Sequence, residues 1–404
     1  MRKLRVGVWV NENYRPEAGG GFGYYSQIIN AFNNYNFTDA EIIFISKRFS
    51  INWDKKDKSY EIKTADFTPK VGLAKKIIGK VARLFGLKLD DQIYFKEKKA
   101  VNEQLKQELS QVIDLIYYPI PGCAVENFPY IYTLWDVGHL SMYAFPEVSM
   151  NGVYDSRKQH HEIFPQKALL VFCESEQGKK EAAKYLNLNE DKIKVVPIFP
   201  SEIINKSIVV QKPAILSEDS FFIHYPAQFW SHKNHYNLLN AFKDVLLQFP
   251  NLKLILSGSD KGNKEYVLAL ISELELKEKV LDLGFVKVEE LKWIYKSSQG
   301  LVMPTFLGPT NMPLLEAAEL GCAVACSNLE GHKEQLGEYA YYFDPKNSKE
   351  MTQKIVKMIE DNKNDIQREY NSNFTLTNAL RQMDLAFTEV RNVRFCWGDN
   401  DKIF

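Results

Sequence analysis

The chain has 404 residues, of which 45% are hydrophobic and 25% are charged, a balance typical of a globular protein with room for two domains. Its 51 basic residues balance 51 acidic ones, so the net charge gives no support for nucleic acid as a partner. The five cysteines form neither a disulfide framework nor a metal-ligand spacing, which favours a reducing cytosol.

The first apolar run, residues 4–10, is short and rich in β-branched residues, which predicts a strand. It is too short for the apolar part of a signal peptide. No later run approaches the roughly 18 apolar residues that a membrane span needs. A glycine-rich turn follows the strand and leads into an amphipathic helix. Because Gly19, Gly20 and Gly21 lack side chains, backbone amides there would approach a diphosphate closely. The alternative is a turn without a function, and the glycine spacing does not match the dinucleotide fingerprint.

Residues 41–46 predict the next strand, and the polar stretch after them has room for another. The segment 70–88 then carries six basic residues and no acidic one, with apolar residues at helical spacing. We expect a basic amphipathic helix that lies on an anionic membrane surface. The alternative is a helix docked on the domain core with a solvated basic face, and three glycines within the segment weaken either helix.

Residues 129–135 predict a buried strand that is followed directly by Asp136 and His139. Both residues would then lie at the edge of the sheet where the glycine turn lies and where ligands collect in open α/β sheets. A histidine there could hydrogen-bond a hydroxyl group or exchange a proton near neutral pH, and a catalytic role for Asp136 and His139 is one of two open interpretations. A capping aspartate and a structural histidine are the alternatives. Residues 151–166 predict a surface helix without metal-site spacing.

Strands alternate with helices in both halves of the chain, which predicts two parallel, doubly wound, Rossmann-like domains that face a central cleft. We place the first domain at residues 1–200, the second at 201–375, and a helix that crosses back to the first domain within 376–404. Lys233 follows the first strand of the second domain. Its ammonium group would offset the charge of a diphosphate during bond cleavage, although the same loop could be a packed corner.

Residues 303–325 read as a strand, a tight turn, a helix and a strand. Gly308 and Pro309 predict the bend, Thr310 and Asn311 are predicted caps of the helix, and Pro313 suits its first turn. The free amides at this helix start favour a phosphate group. The candidate nucleotide-sugar ligands are therefore the residues that open the helix, namely Thr310, Asn311, Met312 and Leu314.

Glu316 lies about one turn into that helix, and its side chain leans back towards the helix start. A carboxylate beside an anion site is suited to a neutral diol that donates two hydrogen bonds, such as the ribose of a nucleotide. The alternative is that Glu316 only complements the helix dipole on a solvated surface.

This run resembles the C-terminal signature of the family-4 glycosyltransferases, retaining enzymes of the GT-B fold, in which seven residues separate two glutamates. Glu316 matches the second glutamate, whereas Gly308 stands where the first is expected, and this departure leaves the donor sugar open. Similarly, Gln228 or a neighbour stands where the family places an arginine before the lysine matched by Lys233. Glu334 matches a later glutamate with a structural role.

Three further segments carry the resemblance. Val286 lies in a Gly-Phe-Val sequence similar to the turn whose backbone meets the base, and the family has a similar glycine turn and a similar pattern around Asp136 and His139. The resemblance implies a metal-independent, retaining hexosyltransferase that moves a sugar from a nucleotide diphosphate sugar to a saccharide or lipid-linked acceptor. It implies no cofactor beyond that donor substrate, and a cytoplasmic setting in cell-envelope polysaccharide assembly, peripheral on the membrane through residues 70–88. The alternatives are an epimerase or phosphorylase on the same fold and a non-catalytic membrane-surface scaffold.

Overall fold

The computed structural model describes residues 2–11, 14, 20–49, 58–64, 89–125, 128–142, 144–366 and 368–397, with side chains described from residue 100 onward in the helix that begins at Leu89. The segment 70–88 lies outside the described residues, so the membrane-surface helix remains a prediction. Among the described helices, none combines the length and the apolar character that crossing a bilayer requires.

The first domain is built on a parallel sheet of seven described strands in the order β3-β2-β1-β4-β5-β6-β7. The strands are β1 (Leu4–Trp9), β2 (Ala40–Ser46), β3 (Ser59–Glu61), β4 (Leu115–Tyr118), β5 (Tyr130–Leu134), β6 (Leu170–Cys173) and β7 (Ile193–Val195). Its helices are α1 (Gly20–Asn34), α2 (Leu89–Val112), α3 (Gly138–Ser141), α4 (Pro146–Ser149), α5 (Val153–Lys167) and α6 (Glu176–Leu186).

The second domain is built on a parallel sheet of six described strands in the order β10-β9-β8-β11-β12-β13. The strands are β8 (Phe222–Pro226), β9 (Lys253–Ser257), β10 (Val280–Asp282), β11 (Leu301–Met303), β12 (Val324–Ser327) and β13 (Tyr341–Phe343). The helices that follow are α7 (His235–Val245), α8 (Lys264–Glu273), α9 (Val288–Ser297), α10 (Met312–Glu319), α11 (Glu330–Leu336), α12 (Ser348–Lys363) and α13 (Leu376–Arg394).

These sheets confirm the predicted doubly wound α/β architecture. Every residue of β4, β5 and β6 is buried, because hydrophobic cores cover both faces of the first sheet. The strand order reverses beside β1 in the first sheet and beside β8 in the second. In parallel sheets a crevice opens at such reversals, beyond the carboxyl ends of the strands, and ligands bind there.

Helix α13 packs on the first domain although it follows the second domain in sequence. The ring of Phe387 lies among those of Phe32, Phe37 and Tyr117, with centroid distances of 5.3 to 6.3 Å. Asp384 accepts hydrogen bonds from the backbone amide and the hydroxyl group of Thr38, at 2.9 and 2.8 Å. The end of the chain therefore ties the two domains together.

Candidate active site

A cavity of about 560 Å³ opens between the two domains, at the carboxyl ends of β1, β5, β6, β8, β9 and β11. The chain thus brings the glycine turn of the first domain to the helix start of the second. Nine of the eleven candidate catalytic and nucleotide-sugar-binding residues line this cavity: Gly20, Gly21, Asp136, Lys233, Val286, Thr310, Asn311, Met312 and Glu316. His139 and Leu314 do not line it.

The glycine turn ends in the first turn of α1, where Gly21 is required by close packing. A Cβ atom at Gly21 would lie 2.3 Å from the hydroxyl oxygen of Tyr14 and 2.8 Å from the ring of Trp135. Gly20 is less confined, since the nearest atoms to a Cβ there belong to Met312 of the second domain, at 3.9 Å. The turn therefore presents backbone, without side chains, to the cavity wall formed by Met312.

The start of α10 differs from the prediction in its capping. The helix begins at Met312 with Pro313 in its first turn, as expected, and Asn311 occupies the N-cap position. However, the Asn311 side chain makes no capping hydrogen bond, and the hydroxyl group of Thr310 donates to Glu174 of the first domain instead. The prediction that Thr310 and Asn311 cap this helix was wrong, because both side chains have partners far away in the sequence.

Asn311 is held by a buried polar network. Its backbone amide donates to Gln335 Oε1 at 2.9 Å, and Gln335 Nε2 donates to the Asn311 carbonyl at 3.1 Å. His332 Nδ1 lies 2.9 Å from the carbonyl of Ser327, so that nitrogen carries the proton and Nε2 accepts from Asn311 Nδ2 at 2.9 Å. The network leaves Asn311 Oδ1 facing Lys233, whose Nζ donates to it at 3.1 Å.

Lys233 is placed by a short 3₁₀ turn, Ser231–Lys233, which ends at Asn234 in the left-handed conformation, with φ of 60°. Asn234 Nδ2 fixes this turn by donating to the carbonyl groups of Pro304 and Pro345, at 2.9 and 2.8 Å. Burial lowers the pKa of Lys233 to about 8, because the charged form loses solvation. A bound diphosphate would restore a partner for that charge.

Glu316 is buried and already has protein partners. The hydroxyl group of Tyr295 donates to Oε2 at 2.8 Å, and the side chain and backbone of Ser201 also form hydrogen bonds with the carboxyl group. Burial raises the pKa of Glu316 although these hydrogen bonds oppose the rise. A diol at Glu316 would therefore bind beside the Tyr295 hydroxyl, at a group fixed in place by Ser201.

His139 lies in the protein interior and does not line the cavity. This position corrects the expectation that His139 lies at the cleft. Its side chain is fully buried, and neither ring nitrogen has a hydrogen-bond partner among the described residues. The ring stacks on that of His161 with centroids 4.9 Å apart, and burial lowers the pKa of His139 to about 4. A catalytic role for His139 remains a prediction.

Asp136 lines the cavity but is engaged in the first domain. Its Oδ1 accepts from the Arg157 guanidinium group and, at 2.7 Å, from the backbone amide of Gly138. Burial pushes the pKa of Asp136 up, but Arg157 and the amide outweigh burial and hold it below its usual value. The carboxylate is thus ionised and paired. The side chain of Leu314 packs in the second-domain core and does not line the cavity, and its role as a ligand remains a prediction.

Three contacts across the domain boundary were not predicted. Glu174 accepts from Thr310, and Glu147 accepts from His232. Glu334 accepts from the backbone amides of the first two residues of α6, at 2.8 and 3.0 Å, so it binds the helix start of the opposite domain. In the sequence these acids are separated from their partners by 85 to 158 residues, so local patterns carry no sign of the pairing.

The cavity holds few positive charges. Among the described residues that line it, Lys233 is the one cationic side chain, whereas Asp136, Glu174, Glu202 and Glu316 carry carboxyl groups. Gln228, which stands in the position expected for a second cation, donates to Ser259 and accepts from Trp230. Because burial raises the pKa of Glu174 and of Glu316, the negative charge facing a bound anion is reduced.

Comparison with known proteins finds a family model that matches the second domain. Residues 210–374 match the family model described as glycosyl transferases group 1. The chain is 31% identical over 185 residues to the O-antigen chain mannosyltransferase RfbU of Salmonella typhimurium, covering 45% of this chain and 48% of that protein. It is 29% identical over 203 residues to a protein of Methanocaldococcus jannaschii described as the uncharacterized glycosyltransferase MJ1607, covering 47% of this chain and 51% of that protein. The chain therefore spans about half the length of the curated relatives it matches.

Solved structures share the fold over nearly the whole chain. Anabaena HepE, in a complex with UDP and glucose, has a TM-score of 0.61 at 16% identity, covering 96% of this chain and 99% of that chain. Sucrose-phosphate synthase from Thermosynechococcus elongatus has a TM-score of 0.62 at 14% identity, covering 98% of this chain and 100% of that chain. The described architecture is the GT-B fold of these proteins, and the match to the glycosyl transferases group 1 model lies within the second domain.

Proposed function

We propose that this chain is a retaining, metal-independent hexosyltransferase that moves a sugar from a nucleotide diphosphate sugar to a saccharide or lipid-linked acceptor. The observation that carries the proposal is the contact between Lys233 Nζ and Asn311 Oδ1 at the start of α10, within the cavity that the glycine turn also lines. A buried ammonium group beside the positive end of a helix is suited to a diphosphate.

The donor would lie with its diphosphate between Lys233 and the first-turn amides of α10, and with its ribose at Glu316. As the bond from the anomeric carbon to the diphosphate oxygen breaks, Lys233 would stabilise the charge that develops on the leaving group. The base would lie towards Val286, which lines the same cavity. The glycine turn, with Gly20 and Gly21 in the cavity lining, would contact the donor diphosphate from the first domain, and the acceptor would enter from that domain.

Retention is proposed from the state of the carboxyl groups. Asp136 is paired with Arg157, Glu316 accepts from Tyr295, and Glu174 accepts from Thr310. Since these three of the four carboxyl groups that line the cavity are engaged by protein partners, we favour front-face attack over a covalent glycosyl-enzyme. The acceptor oxygen then bonds to the anomeric carbon on the face that the diphosphate leaves, and the acceptor proton passes to a diphosphate oxygen.

The setting is proposed from the relatives. RfbU is named as an O-antigen chain mannosyltransferase, and a relative from Campylobacter jejuni, 34% identical over 134 residues, is named as a transferase acting on a diphospho-undecaprenol compound. These names support cell-envelope polysaccharide assembly with a lipid-linked acceptor, at the cytoplasmic face of the membrane. The basic segment 70–88 would bring the enzyme to that surface.

The test is a turnover assay with a panel of nucleotide sugars, with and without saccharide and lipid-linked acceptors, in the presence of EDTA. The proposal expects acceptor-dependent release of nucleoside diphosphate, unaffected by EDTA, and a product with the donor's anomeric configuration by NMR. An epimerised nucleotide sugar without acceptor would indicate an epimerase. The absence of turnover across the panel would favour a non-catalytic scaffold, and turnover abolished by EDTA would contradict metal independence.

A further inference from the structure

Glu174 is an acid at the end of a strand and within the cavity wall. It follows β6 directly, its carbonyl accepts from the Ile198 amide at 3.2 Å, and the next residue, Ser175, caps α6 by accepting from Gly178 at 2.9 Å. The backbone at Glu174 is therefore fixed on both sides. Its side chain extends from the first domain into the cavity between the domains.

The carboxyl group is held from the opposite domain by one hydrogen bond. Thr310 Oγ1 donates to Glu174 Oε2, and no other described residue donates to the carboxyl group. Burial, together with the nearby charge of Asp136, raises the pKa of Glu174 well above the usual value. The raised pKa favours the protonated form, which has one proton to donate and oxygen atoms that accept.

Glu174 lies next to the proposed diphosphate site but is not part of it. Thr310 faces the first domain, whereas its neighbour Asn311 faces Lys233, so Glu174 lies beside the Lys233–Asn311 contact. Gly308 lines the same part of the cavity and contributes no side chain, and its φ of 110° disfavours any larger residue. A carboxyl group at this point therefore comes from the first domain and not from the loop before α10.

We propose that Glu174 is a specificity-determining residue that binds hydroxyl groups of the transferred sugar. The inference rests on the proposed nucleotide-sugar site, because the sugar is attached to the diphosphate and lies next to it. A sugar hydroxyl both donates and accepts, and Glu174, which lines the cavity, receives its hydrogen bond from Thr310 on Oε2, so that Oε1 has no donor among the described residues. Because burial raises the pKa of Glu174, its carboxyl group repels a neighbouring diphosphate less than a fully ionised carboxylate would.

The test compares binding of a bare nucleoside diphosphate with binding of its nucleotide sugar, by calorimetry, in the intact chain. The probes are UDP and GDP with UDP-glucose, UDP-N-acetylglucosamine and GDP-mannose. For the best-bound sugar, Glu174→Ala should weaken nucleotide-sugar binding about 10-fold or more relative to wild type, while nucleoside diphosphate binding changes less than about 2-fold. Glu174→Gln, neutral and of the same size, should keep most of the affinity.

Two further variants serve as a second test and as a control. Glu174→Asp draws the carboxyl group back by one methylene and should lose the sugar-dependent affinity even if Glu174→Ala does not fold. Glu190→Gln, at an exposed position outside the cavity lining, should match wild type. The inference about Glu174 would be contradicted if Glu174→Ala lost equal affinity for nucleoside diphosphate and nucleotide sugar, or if Glu174→Asp bound the nucleotide sugar as wild type does. Neither result would contradict the proposed function. If wild type binds none of the probes, both the inference and the proposed function fail.

Discussion

Glu147 of the first domain accepts two hydrogen bonds from His232 of the second, with its Oε1 atom 2.8 Å from the backbone nitrogen and 2.6 Å from the ring Nδ1. Both side chains are largely buried, and His232 directly precedes Lys233. The same short turn therefore joins the two domains and places the ammonium group. A change at the Glu147–His232 contact would therefore also displace Lys233, the proposed diphosphate ligand.

Replacing Glu147 should disturb donor binding without touching the donor. Glu147→Ala leaves the His232 amide and ring nitrogen without their partner, which should cost about 1 to 3 kcal/mol of domain contact. We expect a higher KM for the donor and a smaller change in kcat. Glu147→Gln should recover part of the loss, because its amide oxygen still accepts. A donor KM equal to that of wild type in both variants would show that the position of Lys233 does not depend on the contact between Glu147 and His232.

The pair also predicts a pH dependence of the domain contact. Burial raises the pKa of Glu147, but hydrogen bonds from His232 outweigh burial and hold the pKa below its usual value of 4.5. A lowered pKa means that the stabilisation is present at neutral pH and is lost as the pH falls below about 4.5. Thermal unfolding followed from pH 7 to 3.5 should show this loss in wild type and a weaker one in Glu147→Gln.

Glu316 provides a test of the ribose contact. Glu316→Gln keeps the shape of the side chain but removes the charge, so nucleotide affinity should fall by about 1.5 to 3 kcal/mol for each charged hydrogen bond lost. Tyr295→Phe is the matched control, because it removes one of the protein's own donors to Glu316 and leaves the carboxyl group in place. Calorimetry that finds unchanged nucleotide binding in Glu316→Gln would remove this residue from the site.

Lys233 predicts proton uptake on nucleotide binding. Its pKa is lowered to about 8 by burial, so part of the population is neutral at pH 8 and above, and a diphosphate should restore the proton. Nucleoside diphosphate affinity should therefore decrease as the pH rises from 7 to 9. Calorimetry in buffers of different ionisation enthalpy measures the uptake directly. Lys233→Met should show neither effect, and an identical pH profile in that variant would exclude Lys233 as the source.

The segment 70–88 predicts binding to anionic membranes. Removing the charges of Lys75, Lys76, Lys80 and Arg83 should weaken binding to anionic vesicles by about 1 kcal/mol per residue, and added salt should weaken wild-type binding as well. Neutral vesicles serve as the control surface. Equal binding of the quadruple variant and wild type to anionic vesicles would contradict the membrane prediction. It would favour the alternative, a helix docked on the domain core with a solvated basic face.

The fold was predictable because its signals are local. Buried runs such as residues 115–118 and 170–173 alternate with helices. Parallel strands that are covered on both faces consist of nearly continuous apolar residues, so these runs are recognisable in the sequence. The helix start at Met312 was predictable from Pro313 for the same reason.

The details of the site were less predictable because their partners are distant. Capping by Thr310 and Asn311 is a local rule, but Glu174, 136 residues away, and Lys233, 78 residues away, engage those side chains instead. The position of His139 was also missed. The pattern places it after a strand, yet nothing in the pattern says that its ring packs against His161 in the interior.

The most direct measurement compares Lys233→Ala with His139→Ala, each titrated with nucleoside diphosphate and assayed for sugar transfer and for donor hydrolysis by water. Lys233→Ala should weaken nucleoside diphosphate binding and slow both reactions by about 10² to 10³, as expected when one electrostatic donor to the leaving group is lost. His139→Ala should leave nucleoside diphosphate binding nearly intact, because His139 does not line the cavity. Turnover in Lys233→Ala equal to wild type, or nucleoside diphosphate binding lost as badly in His139→Ala, would contradict the proposal that Lys233 holds the leaving diphosphate.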